Sequence, residues 1–255
     1  MTDPTHWRTV FEQTYGQPPS PIQARIWRAV LGDEYPEGLD PYSYTSRSEL
    51  RRIANDLHVA HGDTLLDVGC GRGGAGLWVA METGADLVGI DIAEAALDAA
   101  RERATRLAVV ARFQRGEFEA TGLESGSVDG VMSIDALLFT LDKTAAMREL
   151  RRVLRPGGRL CLTSWDYHSQ PVGRPPQVPD HRPIAEAAGF EVVDYDETDD
   201  WRSRQSAIGQ GLLDASDELA AEEGVSQEEM RAGIEEMVAT GAAMTRRFLL
   251  VAEAR

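Results

Sequence analysis

The sequence predicts an α/β fold built on a seven-stranded, mostly parallel sheet with helices on both faces, and three observations carry that prediction. From about Leu65 onward, short β-branched apolar runs alternate with longer segments whose apolar residues recur every three or four positions. The first run stops at an acid and opens into glycine, in "LLDVGCGRGG". A later helical pattern, "KTAAMRELRRVL", ends at Pro156-Gly157-Gly158, a helix stop and turn ahead of the next run.

The candidate strands are "TLLDVG", "DLVGID", "ARFQRG", "VDGVMSID", "GRLCLTSW", "FEVVDYDET" and "RRFLLVAEA". Between them, "AGLWVAMET" and "EAALDAARERATRL" read as helices. Residues 1–62 stand outside the alternation and are expected to form an N-terminal helical appendage. It contains "QPPSPIQARIWRAVLG" and "TSRSELRRIANDLHV", the latter capped by Thr45 or Ser46 with Glu49 behind it. Residues 63–255 then form the main domain. Within it, residues from about 202 to 241 read as a helical insert before the last strand, too patterned for a disordered loop. The aromatic content of the appendage and its place outside the sheet suggest a lid, formed with the insert, over an apolar pocket. The stretch "SQPVGRPPQVPDHRP" is expected to be an extended, exposed loop.

Composition narrows the function. The 255 residues are 42% hydrophobic, enough for a real core, and carry a formal net charge of -16. That charge disfavours nucleic acid and anionic membranes as partners, because both require clustered Lys and Arg. Cys70 and Cys161 do not form a disulfide framework. Neither a basic start followed by an apolar core nor a bilayer-length apolar run occurs, so a soluble, cytoplasmic protein is expected. His6, His58 and His61 lack metal-ligand spacing, and no metal is expected.

Gly69-x-Gly71-x-x-Gly74 satisfies a dinucleotide fingerprint, and Asp91 lies 22 positions after Gly69, where an acid would hold ribose hydroxyls. Asp67 argues for a different ligand. A carboxylate just ahead of the loop repels a pyrophosphate and attracts an ammonium or sulfonium group. The run of "LLDVGCGRGG", "LVGIDIAEAALDAARER", "FQRGEFEATGLESGSVDGVMSIDAL" and "RELRRVLRPGGRLCLTSW" resembles the ordered motifs of class I S-adenosylmethionine-dependent methyltransferases, especially the bacterial small-molecule type. The resemblance covers roughly residues 60 to 195 and the final strand.

It implies a Rossmann-like fold, S-adenosylmethionine as cofactor and a small-molecule methyl acceptor. Asp67, Gly69 and Gly71 match the loop that binds the methionine part, and Asp91 the acid that meets both ribose hydroxyls, with Ile92 beside the adenine. Gly116, Glu117 and Phe118 fall where the family usually has Gly-Asp-Ala, so Glu117 meets the adenine amino group and Phe118 either stacks or packs. Ser133, Ile134 and Asp135 are expected to follow the fourth strand, where the family places contacts to the methionine end and to substrate.

Two residues are candidates for catalysis. Asp135 ends a strand at the crevice, with a cofactor amino-group contact or an N-cap as alternatives. His168, in "SWDYHSQP", occupies a comparable rim position, with an exposed loop histidine as its alternative. Tyr42, Tyr44 and Arg47 either close over the cofactor or pack on the domain. The implied reaction is methyl transfer to O, N or C by in-line displacement, with positioning as the main catalytic effect. The rivals are a methyltransferase-like domain with a non-transfer role and an NAD-dependent oxidoreductase. The second is weakened by Asp67 and by the absence of a Tyr-x-x-x-Lys pattern.

Overall fold

Each of the seven apolar runs becomes a strand. In the computed structural model, which describes residues 6–39 and 43–255, they are β1 (Thr64–Val68), β2 (Asp86–Asp91), β3 (Ala111–Arg115), β4 (Val128–Ile134), β5 (Leu154–Tyr167), β6 (Phe190–Glu197) and β7 (Met244–Ala254). Their order is β3-β2-β1-β4-β5-β7-β6. The first five run parallel, and β7 pairs antiparallel with both β5 and β6. Strand order reverses between β1 and β4, which opens a crevice at their carboxyl ends.

The helices are α1 (His6–Tyr15), α2 (Pro21–Leu31), α3 (Arg47–Asp56), α4 (Gly74–Thr83), α5 (Glu94–Leu107), α6 (Lys143–Val153), α7 (Arg182–Ala187), α8 (Trp201–Asp214), α9 (Ser216–Glu223) and α10 (Gln227–Ala242). Alternation along β1 sends Leu65 to one face and Leu66 and Val68 to the other. Leu65 joins Leu50 and Ile53 of α3, Leu77 of α4 and Leu97 of α5. Leu66 and Val68 join Met147 and Leu150 of α6 and Ala185 of α7. Helix α3 therefore packs on the sheet, although the sequence groups it with the appendage. Its cap is Ser46, whose hydroxyl accepts from the Glu49 N–H at 3.2 Å. The insert resolves into α8, α9 and α10. Ile208 and Leu212 of α8 and Leu219 of α9 form one apolar cluster with Ile26, Trp27 and Leu31 of α2.

Two local expectations are corrected. Pro156-Gly157-Gly158 lies inside β5 rather than before it: pairing jumps from Val128–Leu154 to Gly130–Arg159, and the extra residues form a bulge with Gly157 at φ 80°. The proline-rich stretch is exposed at Val172 but buried at Pro171, Pro175 and His181. Side chains pin it, with Lys143 Nζ donating to the Pro176 carbonyl at 2.6 Å and Gln177 Nε2 to that of Leu138 at 2.8 Å. At its end His181 Nδ1 sits 3.0 Å from Asp166 Oδ1, which also accepts from Tyr195 Oη at 2.7 Å. Burial pushes the His181 pKa down.

Arg247 of β7 is the most heavily engaged side chain in the core. It is 2% exposed. Its Nη1 and Nη2 donate to Glu49 of α3 at 2.8 and 2.9 Å, and its Nε and Nη2 donate to Asp135 at 3.1 Å each. Burial opposes the charge, yet the two acids outweigh it and hold the guanidinium firmly protonated. Arg247→Met strands two buried carboxylates, so it should cost about 3–5 kcal/mol in urea unfolding. A loss under about 1 kcal/mol would show that the acids find solvent instead.

Candidate active site

The ends of β1, β2 and β4 and the segment after β3 converge on one cavity of ≈ 260 Å³. From the loop after β1 it takes Asp67, Gly69 and Gly71, and from the end of β2 it takes Asp91 and Ile92. Gly116, Glu117 and Phe118 line it beyond β3, and Asp135 lines it beyond β4. Residues far apart in sequence, singled out by motif, thus share one wall. Ser133 and His168 do not line it. Ser133 is fully buried and donates its hydroxyl to the Val68 carbonyl at 2.7 Å, tying β4 to β1. The ring Nε2 of His168 instead lies 3.1 Å from the Ala242 carbonyl.

The loop is held by backbone bonds and one carboxylate. The N–H groups of Gly69 and Cys70 donate to the Ile90 carbonyl at 2.8 and 3.0 Å. Asp91 then accepts the Gly71 N–H at 2.8 Å and the Ala93 N–H at 3.0 Å, one on each oxygen. Gly69 turns at φ 74°, and a Cβ there would collide with the Ala136 side chain. Asp67, 2% exposed, accepts the N–H of Gly76 in the first turn of α4. Burial, followed by the charge of Asp91, lifts its pKa to about 7. Burial also raises the Cys70 thiol well above its ordinary value, which removes it as a nucleophile.

Sequence motifs did not reveal how α1 roofs this cavity. Trp7, Phe11 and Tyr15 of α1 line it, together with Trp27 and Leu31 of α2. Arg72, in the glycine loop, donates to the carbonyls of Thr14, Tyr15 and Gln17 at the end of α1, and lies over the Tyr15 ring at 5.1 Å. Glu12 accepts the N–H groups of Glu94 and Ala95 at 2.8 and 3.1 Å, capping α5, whose own N-cap residue Ala93 cannot. Aromatic residues in the first 31 positions were the available signal for the roof. Nothing local marks Glu12 as the cap of a helix 82 positions later. No residue of α8, α9 or α10 lines the cavity; these helices back α2.

Asp135 adopts φ 54° and its carboxylate is surrounded. Besides Arg247, it accepts from Thr163 Oγ1 at 2.8 Å, the Tyr44 N–H at 2.9 Å and Ser43 Oγ at 3.3 Å. It anchors the segment that leads into α3. Tyr44 packs between Trp27 and Trp165, and Arg47 donates to the Tyr35 carbonyl at 3.3 Å; neither lines the cavity. Tyr42 lies outside the described residues. Among the described residues no cluster of three or more His, Cys, Asp or Glu side chains is arranged to hold a metal, and no helix is long and apolar enough to cross a membrane.

A family model described as a methyltransferase domain matches residues 66–162, from β1 into β5. Residues 66–162 are thus similar to methyltransferase domains. The chain is 33% identical over 129 residues to the methyltransferase GfsG of Streptomyces halstedii, covering 50% of this chain and 46% of that one. It is also 33% identical to the 27-O-demethylrifamycin SV methyltransferase of Amycolatopsis mediterranei, covering 48% and 46%. The chain spans about half the length of these curated relatives. Among solved structures, the [4+2]-cyclase SpnF matches with a TM-score of 0.72 at 21% identity, over 95% of this chain and 94% of that one. Geranyl diphosphate C-methyltransferase from Streptomyces coelicolor matches with a TM-score of 0.65 at 17% identity, over 100% of both. At these identities the structural likeness concerns the fold alone.

The cross-chain cap supplies a direct test. Glu12→Ala should cost about 1 kcal/mol of capping energy and speed amide exchange at Glu94 and Ala95 roughly fivefold. Unchanged exchange at both amides would mean that α1 does not hold the start of α5.

Proposed function

We propose that this protein transfers the methyl group of S-adenosylmethionine to O, N or C of a small-molecule acceptor, in the cytoplasm and without a nucleic-acid partner. The observation that carries this reading is that the Asp67–Gly71 loop, Asp91–Ile92 and Gly116–Phe118 all line a single cavity. Their chemistry fits the cofactor. A carboxylate beneath a tight glycine turn suits a cationic methionine end, and the close approach of Tyr15 Oη, 2.9 Å from where a Gly71 Cβ would stand, leaves room for backbone only. Asp91 would hold the ribose hydroxyls, Ile92 and Phe118 the adenine ring, and Glu117 its amino group.

When bound, S-adenosylmethionine supplies a methyl group on a sulfonium that is already a good leaving group. The protein's task is then to fix the acceptor in line and exclude water, a contribution on the order of 7–11 kcal/mol. The aromatic roof of α1 and α2 suits both roles, which makes these helices a lid. Asp135 orients the acceptor side by anchoring Ser43 and Tyr44 rather than by taking a proton, since its oxygens are already engaged. Ser133 supports the methionine side from behind, through β1. His168 stands outside the cavity and receives no part in the proposed transfer.

A second reading is favoured by one observation: a [4+2]-cyclase shares the fold over nearly the whole chain. In that reading the cofactor-binding frame serves a reaction without methyl transfer. Product mass with isotopically labelled cofactor separates the two, because only transfer adds a labelled methyl group.

Calorimetry with S-adenosylmethionine and NAD in parallel tests the common premise: the first should bind and the second should not. Asp67 sets the pH dependence. In the unliganded protein it holds a proton below pH about 7, which a cationic ligand must displace. Affinity should therefore rise as pH climbs from about 5.5 toward about 7, and Asp67→Asn should bind weakly with no such rise. A flat profile in the unaltered protein would remove Asp67 from the site.

A further inference from the structure

We propose that the acceptor is a largely apolar ring compound without an anionic group and that phosphorylated or carboxylated acceptors are rejected. The inference rests on the methyl-transfer reading and comes from the charges around the cavity. Five carboxylates line it, on Asp67, Asp91, Glu117, Glu119 and Asp135, against two guanidiniums, on Arg8 and Arg72. Both guanidiniums are engaged within the chain. Arg8 lies 3.4 Å from Glu117, and Arg72 faces the carbonyls that end α1. Arg247 neutralises Asp135, and Arg174 lies outside the lining, stacked over the Trp7 and Phe139 rings at 5.1 and 5.7 Å. An entering anion still meets a net negative lining whose two guanidiniums already face partners.

Helix N-termini, the other common phosphate holders, are also committed. Of the helices that begin near this cavity, α4, α5 and α6 each have a carboxylate of the chain at the start. Asp67 takes the Gly76 N–H of α4, and Glu12 takes the Glu94 and Ala95 N–H groups of α5. Asp142 takes those of Thr144 and Ala145 in α6 at 3.0 and 2.9 Å. The same carboxylates that stabilise the helices close them to anionic ligands.

The remaining wall selects for flat apolar surface. Phe139 packs against Trp7 and Phe11 with ring centroids 4.8 and 4.9 Å apart, and Trp27, Leu31 and Tyr35 face the same space from the α2 side. Such walls gain from excluding water around a ring and lose by desolvating an anion.

Matched probes test this with the full chain. Titration calorimetry with 1-naphthol, 1-naphthyl phosphate and the cationic 1-naphthylmethylamine holds the ring constant while charge changes. Naphthol should bind at least tenfold more tightly than the phosphate, and the amine should also bind more tightly than the phosphate. A phosphate that equals or exceeds either of the other two, or naphthol that does not bind, overturns the proposal. Leu141→Arg places a cation at a partly exposed lining position. That variant should raise affinity for the phosphate probe at least threefold and keep naphthol within twofold, with an unchanged melting profile as control. If phosphate binding does not respond, the selection does not arise in this cavity. The series is run with and without S-adenosylhomocysteine, whose own titration is read separately. Failure of that nucleoside to bind sinks the methyl-transfer reading, while the probe series still reports on charge selection.

Discussion

The fold and its site depend on one buried guanidinium shared by two carboxylates. Arg247 links Glu49 of α3 to Asp135 at the end of β4. Each carboxylate alone would be expensive to desolvate, and Arg247 alone would be more so. Together, with Thr163 and Thr198 filling remaining positions, they are satisfied. The arrangement has a geometric result. Asp135 is held in a left-handed conformation from which its oxygens reach the Tyr44 N–H and Ser43. The Trp27 indole in turn donates to the Ser43 carbonyl at 2.9 Å. One ion cluster thereby sets this side of the cavity.

The opposite side is organised by exchanges between helix ends. Arg72 sits where a cation is favoured, at the carboxyl end of α1, and Glu12 where an anion is favoured, at the amino end of α5. Both partners belong to segments that line or adjoin the glycine turn. The roof and the floor of the cavity are thus mutually capped, and α1 has no buried residue of its own to hold it by packing alone.

Much of this was legible in the sequence because it is local. Short apolar, β-branched runs marked all seven strands, and the spacing from Gly69 to Asp91 placed an acid beside the glycine turn, where the structure has it. Resemblance to a motif series picked out Gly116 and Glu117, which composition alone would not. The remainder is non-local. A parallel βαβ pattern does not show that β7 inserts antiparallel between β5 and β6, since that depends on the crossover through α8 to α10. Ser133 was expected after the fourth strand but lies inside β4, and His168 follows β5 as expected; neither side chain reaches the cavity, since one residue's difference in pleat turns a side chain away. The partnership of Glu49 with Arg247, and of His181 with Asp166, leaves no trace in any window short enough to read by periodicity.

The distance between Glu49 and Arg247 along the chain is 198 residues. At about 5–20 residues added per second, the ribosome releases the acid of α3 on the order of ten to forty seconds before its counterion exists. Until β7 has been made, the amino-terminal helices lack this anchor and β6 lacks the one strand it pairs with. The same strand joins β6 to the sheet and brings the counterion of Glu49 and Asp135. The ligand chamber therefore reaches its final form late in the life of the nascent polypeptide.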